Sequence, residues 1–227
     1  MLKKLFIFHC SLFFALSTLS SYGQGQQSSA RAQEIVNSMT ARIKTFPSVS
    51  LNFTLNIIQL QEDTETEQEG RMWLQNNMFK LETPDYVVFF DGTNFFQYMP
   101  EFREAYKMPH DPASNNEDFQ LLNPMTYFNI SPNNFRTFLL RESTQNSRSV
   151  YEIDLIPVDV FGTSYSRIHL MVERSTMQLA YLKVFMKDGM HIALTFKPYS
   201  IISALSNSFF TFNPAEHPNV ELIDLSF

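Results

Sequence analysis

Val49, Leu51, Phe53, Leu55 and Ile57 alternate without a break with Ser48, Ser50, Asn52, Thr54 and Asn56. A period of two places every apolar side chain on one face of an extended chain, so this stretch reads as a β-strand with a single buried face. Further strands are expected over residues 70–74, 78–81, 86–90, 95–99 and 103–108, and again over 135–142, 151–157, 165–174, 179–186, 190–197 and 209–212. In all, about eleven strands are expected. Asp91-Gly92 and Asp188-Gly189 mark tight hairpins between them. The acidic run over 62–69 is expected to be a solvated hairpin loop.

Two segments depart from the strand pattern. Ile35, Val36, Met39 and Ile43 recur at helical spacing, which predicts one amphipathic helix over 29–45, closed by Pro47. Residues 109–118 carry no periodicity and are expected to form a polar loop. After them Leu121, Leu122, Met125 and Phe128 cluster around Asn123-Pro124. Their spacing suits a short helix, because Pro124 would remove a ladder donor from a strand. An apolar helix following a long loop is where a lid would sit.

The N-terminus reads as an address. Lys3 and Lys4 precede an apolar run over 5–19, and small residues then lead to polar Gln24. At about 15 residues the run fits a secretory signal and falls short of the ~20 that span a bilayer. Cleavage is expected near Gly23, leaving one domain over 24–227. Cys10 lies inside the apolar run and lacks the small residues that precede a lipidated cysteine. Removing Lys3 and Lys4 from 17 basic residues leaves 15 against 23 acidic ones, a charge of −8, and no cysteine remains. Nucleic acid is a poor partner for such a surface, and a disulfide framework or Cys-based zinc cage is excluded.

Catalytic patterns are missing. His110, His169, His191 and His217 lie on separate elements with no close pair, so no metal site is expected. There is no Gly-x-Ser-x-Gly elbow, and 6 glycines in 227 residues supply no phosphate-cradling loop. The chain is expected to be a non-enzyme without cofactor.

Apolar residues are in excess instead. In 86–90 and 179–186 they occupy both parities, so both strand faces need cover. One face can pack on the helix while the other lines a cavity, although aromatic and Met stripes equally fill ordinary cores. Of 33 aromatics, 28 lie beyond the leader, and the 10 methionines after Met1 suit a surface that adapts to variable chains.

Several strings, in order, resemble the LolA-type periplasmic lipoprotein carriers: Phe53-Thr54, Gly70-Arg71-Met72-Trp73-Leu74, Phe79-Lys80-Leu81-Glu82, the hairpin from Asp91 to Pro100, Asn123-Pro124, and Phe209-Phe210-Thr211-Phe212-Asn213-Pro214. The resemblance implies an α+β fold, mainly β: an unclosed antiparallel half-barrel with an N-terminal helix and a short helical lid over an apolar cavity. It further implies a monomeric carrier of lipoprotein acyl chains or a related lipid. Such a carrier works between an inner-membrane releasing complex and an outer-membrane acceptor. On this reading Trp73, Phe79, Phe89, Phe96 and Tyr98 line the cavity, and Leu121, Leu122, Met125 and Phe128 form the lid. Stress-sensing relatives on the same half-barrel bind a regulatory protein, which gives a second reading. One departure stands out: where the family places an Arg after the Trp-bearing strand, this chain has Gln75-Asn76-Asn77.

Overall fold

The computed structural model describes residues 17–108, 128, 130 and 132–225. A helix, α1 (Ser17–Ile43), precedes six strands, β1 (Ser48–Gln59), β2 (Thr64–Gln75), β3 (Met78–Glu82), β4 (Val87–Phe90), β5 (Phe95–Met99) and β6 (Glu104–Met108). After the segment outside the described residues come β7 (Phe135–Gln145), β8 (Arg148–Pro157), β9 (Tyr165–Glu173), β10 (Leu179–Met186), β11 (Met190–Phe196), β12 (Ser200–Ile202) and β13 (Glu221–Asp224). The helix starts ahead of its expected position at residue 29 and ends close to its expected end at residue 45. At that end the Thr45 hydroxyl donates to the Arg42 carbonyl at 2.7 Å, and Arg42 lies where a cation favours the helix dipole.

Among the described residues all thirteen strands join one sheet in the order β13-β6-β5-β4-β3-β2-β1-β11-β10-β9-β8-β7, with β12 beside β1. Every pairing is antiparallel except β13 with β6. β1 is the spine, paired to β2 on one side and β11 on the other. The sheet curls without closing. Met108 and Tyr86 near one edge share a single apolar cluster with Phe135 and Leu139 at the other, together with Ala32, Ile35, Val36 and Met39 of the helix, yet β13 and β7 do not pair. This is an unclosed antiparallel half-barrel with its N-terminal helix on the concave side.

The expected strands recur, with two corrections. Residues 64–69 are not a loop: they extend β2 against the far end of β1, Asn56 opposite Glu67 and Gln59 opposite Thr64. Thr64 and Thr66 alternate with Glu65 and Glu67, a pattern that fits an exposed strand. The Asn56 amide donates to both carboxylates at 3.1 Å, which offsets their mutual repulsion. Residues 209–212 are not a strand either. Asn207–Phe210 forms a 3-10 turn, with the Ser206 hydroxyl accepting from the Ser208 N–H and the Phe209 N–H donating to the Ser206 carbonyl at 2.9 Å. A strand would point Phe209 and Phe210 to opposite sides, whereas the turn packs both on the sheet.

Candidate functional site

Hairpin geometry decides what shares a face. The two-residue turn Asn76-Asn77 sets Leu74 opposite Phe79, and the turn at Gly92 sets Phe90 opposite Phe95. Gly92 has φ +95°, a conformation that L side chains rarely adopt, and a Cβ there would lie 2.8 Å from the Asn77 amide. The outcome is a continuous row on the concave side: Met108, Phe95, Phe90, Phe79, Leu74 and Val49. Phe79 meets Phe90 with ring centroids 5.5 Å apart and Phe95 at 6.1 Å. Across β1 the concave row continues through Leu55, Leu194, Leu182, Leu170, Ile153 and Leu139.

These rows belong to one apolar cluster that also takes in Tyr86 and Tyr199. Its apolar surroundings push the buried Tyr199 phenol up to about 12 and raise Tyr86 as well. Phe128 is buried here, its ring 5.5 Å from Phe196, so the one expected lid residue among those described packs on the concave face. Leu121, Leu122 and Met125 lie outside the described residues. At the rim, Phe53 lies across Gly70, where a Cβ would fall 2.3 Å from the ring. The adjoining groove of about 410 Å³ is edged by Asn52, Glu69, Arg71, Glu82 and Lys197. With ionic walls it suits a polar group rather than a hydrocarbon chain.

The five expected cavity residues do not share a face. Phe79 is concave, whereas Trp73, Phe89, Phe96 and Tyr98 lie on the convex side, one residue out of register with the concave row. There they are covered by the chain's own C-terminal segment. Phe209 meets Trp73 at 5.3 Å, and Phe212 meets Phe89, Phe96 and Tyr98 at 5.7, 5.5 and 5.7 Å. His217 stacks on Phe212 at 5.1 Å. Gln75 anchors the segment: its amide donates to the Leu205 carbonyl at 3.0 Å and accepts the Leu205 N–H at 2.7 Å. The Gln75 side-chain amide thus mimics a backbone pair. The concave residues that sequence reasoning missed, Phe90 and Phe95 above all, were recoverable from hairpin register.

On the other flank the convex side is polar. Buried Asp154 accepts from Arg167 at 3.1 Å and pairs with the His169 ring at 2.7 Å. Buried Glu152 accepts from Arg141 at 3.0 Å and from Ser143 at 2.6 Å. Burial alone would raise the Glu152 carboxyl, but these two donors hold it below the usual range. The groups neutralise one another in pairs. Among the described residues no three His, Cys, Asp or Glu side chains are placed to hold a metal ion, and no described helix is long and apolar enough to cross a membrane.

The strand order and the apolar row define an unclosed antiparallel half-barrel with one apolar concave face. Among solved structures the chain resembles an uncharacterised conserved protein from Thermus thermophilus, with 9% identity, TM-score 0.53, and 86% of this chain covered against 99% of that one. It also aligns with a DUF1329 family protein from Desulfovibrio piger (12% identity, TM-score 0.48, covering 81% and 97%). A LolA superfamily protein from Nitrosomonas europaea aligns at 12% identity and TM-score 0.40, covering 80% and 97%. No family model matches the sequence, and no curated protein matches it.

Proposed function

We propose that the protein is a periplasmic carrier that shields the acyl chains of lipoproteins, or of a related lipid, on its concave face. It carries them from the inner to the outer membrane without chemistry. The observation that carries this reading is the concave face itself: one apolar row running across the strands from Met108 to Leu139. An acyl chain of about 16 carbons gains on the order of 10 kcal/mol when buried, at ~0.8 kcal/mol per methylene, before association costs. That gain is set against the cost of association and of moving side chains that now fill the space. The seam between helix and sheet is the place for such an opening. Thr40, on the helix, buries its hydroxyl there without a hydrogen-bond partner among the described residues, which makes this a poorly satisfied part of the core.

The test is to purify the exported protein, extract it, and analyse the extract by mass spectrometry, alongside uptake of a fluorescent acyl probe. Co-purifying lipid or saturable uptake supports the carrier. Consistent absence of lipid together with no uptake would sink it.

A further inference from the structure

At one end of the sheet the β8–β9 and β10–β11 connections are tied together. The Lys187 ammonium donates to the Val160 carbonyl at 2.7 Å and, in a shorter contact, to that of Thr163. The Lys187 N–H donates to the Ser164 carbonyl at 2.9 Å. Asp159 accepts the N–H groups of Phe161 and Gly162 at 3.2 and 2.9 Å, folding the loop back on itself. This built loop holds Phe161 99% exposed, beside Val158 at 59% and Val160 at 39%. A rigid loop that presents a phenyl ring to water has no folding rationale.

Just behind the tip, on the convex face, cations gather around an aromatic ring. The Arg167 guanidinium lies 3.9 Å from the Phe185 centroid and the Lys183 ammonium 5.0 Å from it, with the His191 ring at 4.8 Å. Burial, then Lys183 and Arg167, hold His191 below its ordinary value. Apolar side chains outermost and cations one layer in match the layering of a phospholipid surface, hydrocarbon beneath phosphate. Of the carboxylates at this end, Asp154 is paired with Arg167, Asp159 and Asp188 accept backbone N–H groups of their own turns, and Glu62 and Asp63 sit beyond on the β1–β2 turn, so Lys183 is the cation offered to a lipid phosphate.

We propose that this end of the sheet docks on the surface of a phospholipid bilayer, with Phe161, Val160 and Val158 entering the acyl boundary and Lys183 meeting a lipid phosphate. The proposal is independent of the carrier reading, because it concerns contact with the bilayer and not the concave face. Flotation of the exported protein with vesicles of phosphatidylethanolamine and phosphatidylglycerol tests it. F161S is expected to weaken partitioning about tenfold, the share of one phenyl ring. K183Q is expected to weaken it about fivefold at low salt, with the difference shrinking as salt rises. Brominated lipid should quench the added indole of F161W beyond any quenching of Trp73 in wild type. Equal partitioning of wild type and F161S, or no quenching above the wild-type background, would overturn bilayer docking and leave the tip to a protein partner.

Discussion

On the β2–β6 flank the convex row reads Lys107, Phe96, Phe89, Lys80, Trp73 and Ser50. On the β11–β7 flank the matching row reads Ala193, Lys183, His169, Asp154 and Phe138. The concave rows beside them are alike, both apolar throughout. Where the convex side is aromatic, the chain folds its own C-terminal segment over it. Where it is ionic, its buried carboxylates are paired: Asp154 with Arg167 and His169, and Glu152 with Arg141. Apolar residues on both parities of a strand therefore have two separate owners here: the interior of the half-barrel, and a clasp made by the same chain. Only the concave row is apolar on both flanks.

The contrast can be broken by removing the clasp. Phe210 is fully buried against Trp73 and Met78, so F210A is expected to lose about 3–5 kcal/mol in denaturant unfolding. Because Trp73 is the only tryptophan, its emission should shift to the red in this variant. An unshifted spectrum with unchanged stability would mean that the clasp contributes nothing.

The concave interior has an alkaline signature. Burial raises Tyr199 to about 12 in the folded chain, against about 10 unfolded. Its stabilising effect is therefore complete below about pH 10 and is lost as pH rises through 12, a span worth roughly 2–3 kcal/mol. Y199F should unfold less readily than wild type over that window and titrate alike below it. Coincident curves would contradict the burial of this phenol.

Smaller effects sharpen the boundary between the flanks. Q75A leaves the Leu205 amide and carbonyl without their partner and is expected to cost about 1–3 kcal/mol. E152Q addresses the polar flank. The Glu152 carboxyl is held low when folded, so it contributes stability above about pH 4.3 that disappears as pH falls through its folded value. With Arg141 largely exposed, the difference between E152Q and wild type at neutral pH should be within about 1 kcal/mol and vanish in acid.

Much of this is legible in the amino-acid order. The unbroken alternation from Ser48 to Ile57 specifies β1, the Asp-Gly pairs specify their hairpins, and the spacing of Ile35, Val36, Met39 and Ile43 specifies the core of α1. Faces are harder. Parity within one strand does not say which side is concave, and choosing Phe90 over Phe89 requires following register through the turns at Asn76 and Gly92. The clasp is hidden for a different reason. Phe209 and Phe210 look like a strand by composition, and only the Ser206 cap and the amide of Gln75, 130 residues away from Leu205, direct them into a turn over Trp73. The acidic run reads as a loop only when its charge is weighed above the Thr alternation that makes it a strand.

Photo-crosslinking with a diazirine-bearing acyl chain, followed by peptide mapping, tests the central claim most directly. The account predicts label on concave residues such as Phe79, Phe90, Phe95 and Leu194, with none on the clasped face. Label concentrated on Trp73, Phe89 or Phe96 would contradict it, because the C-terminal segment would then have to yield its place to the cargo.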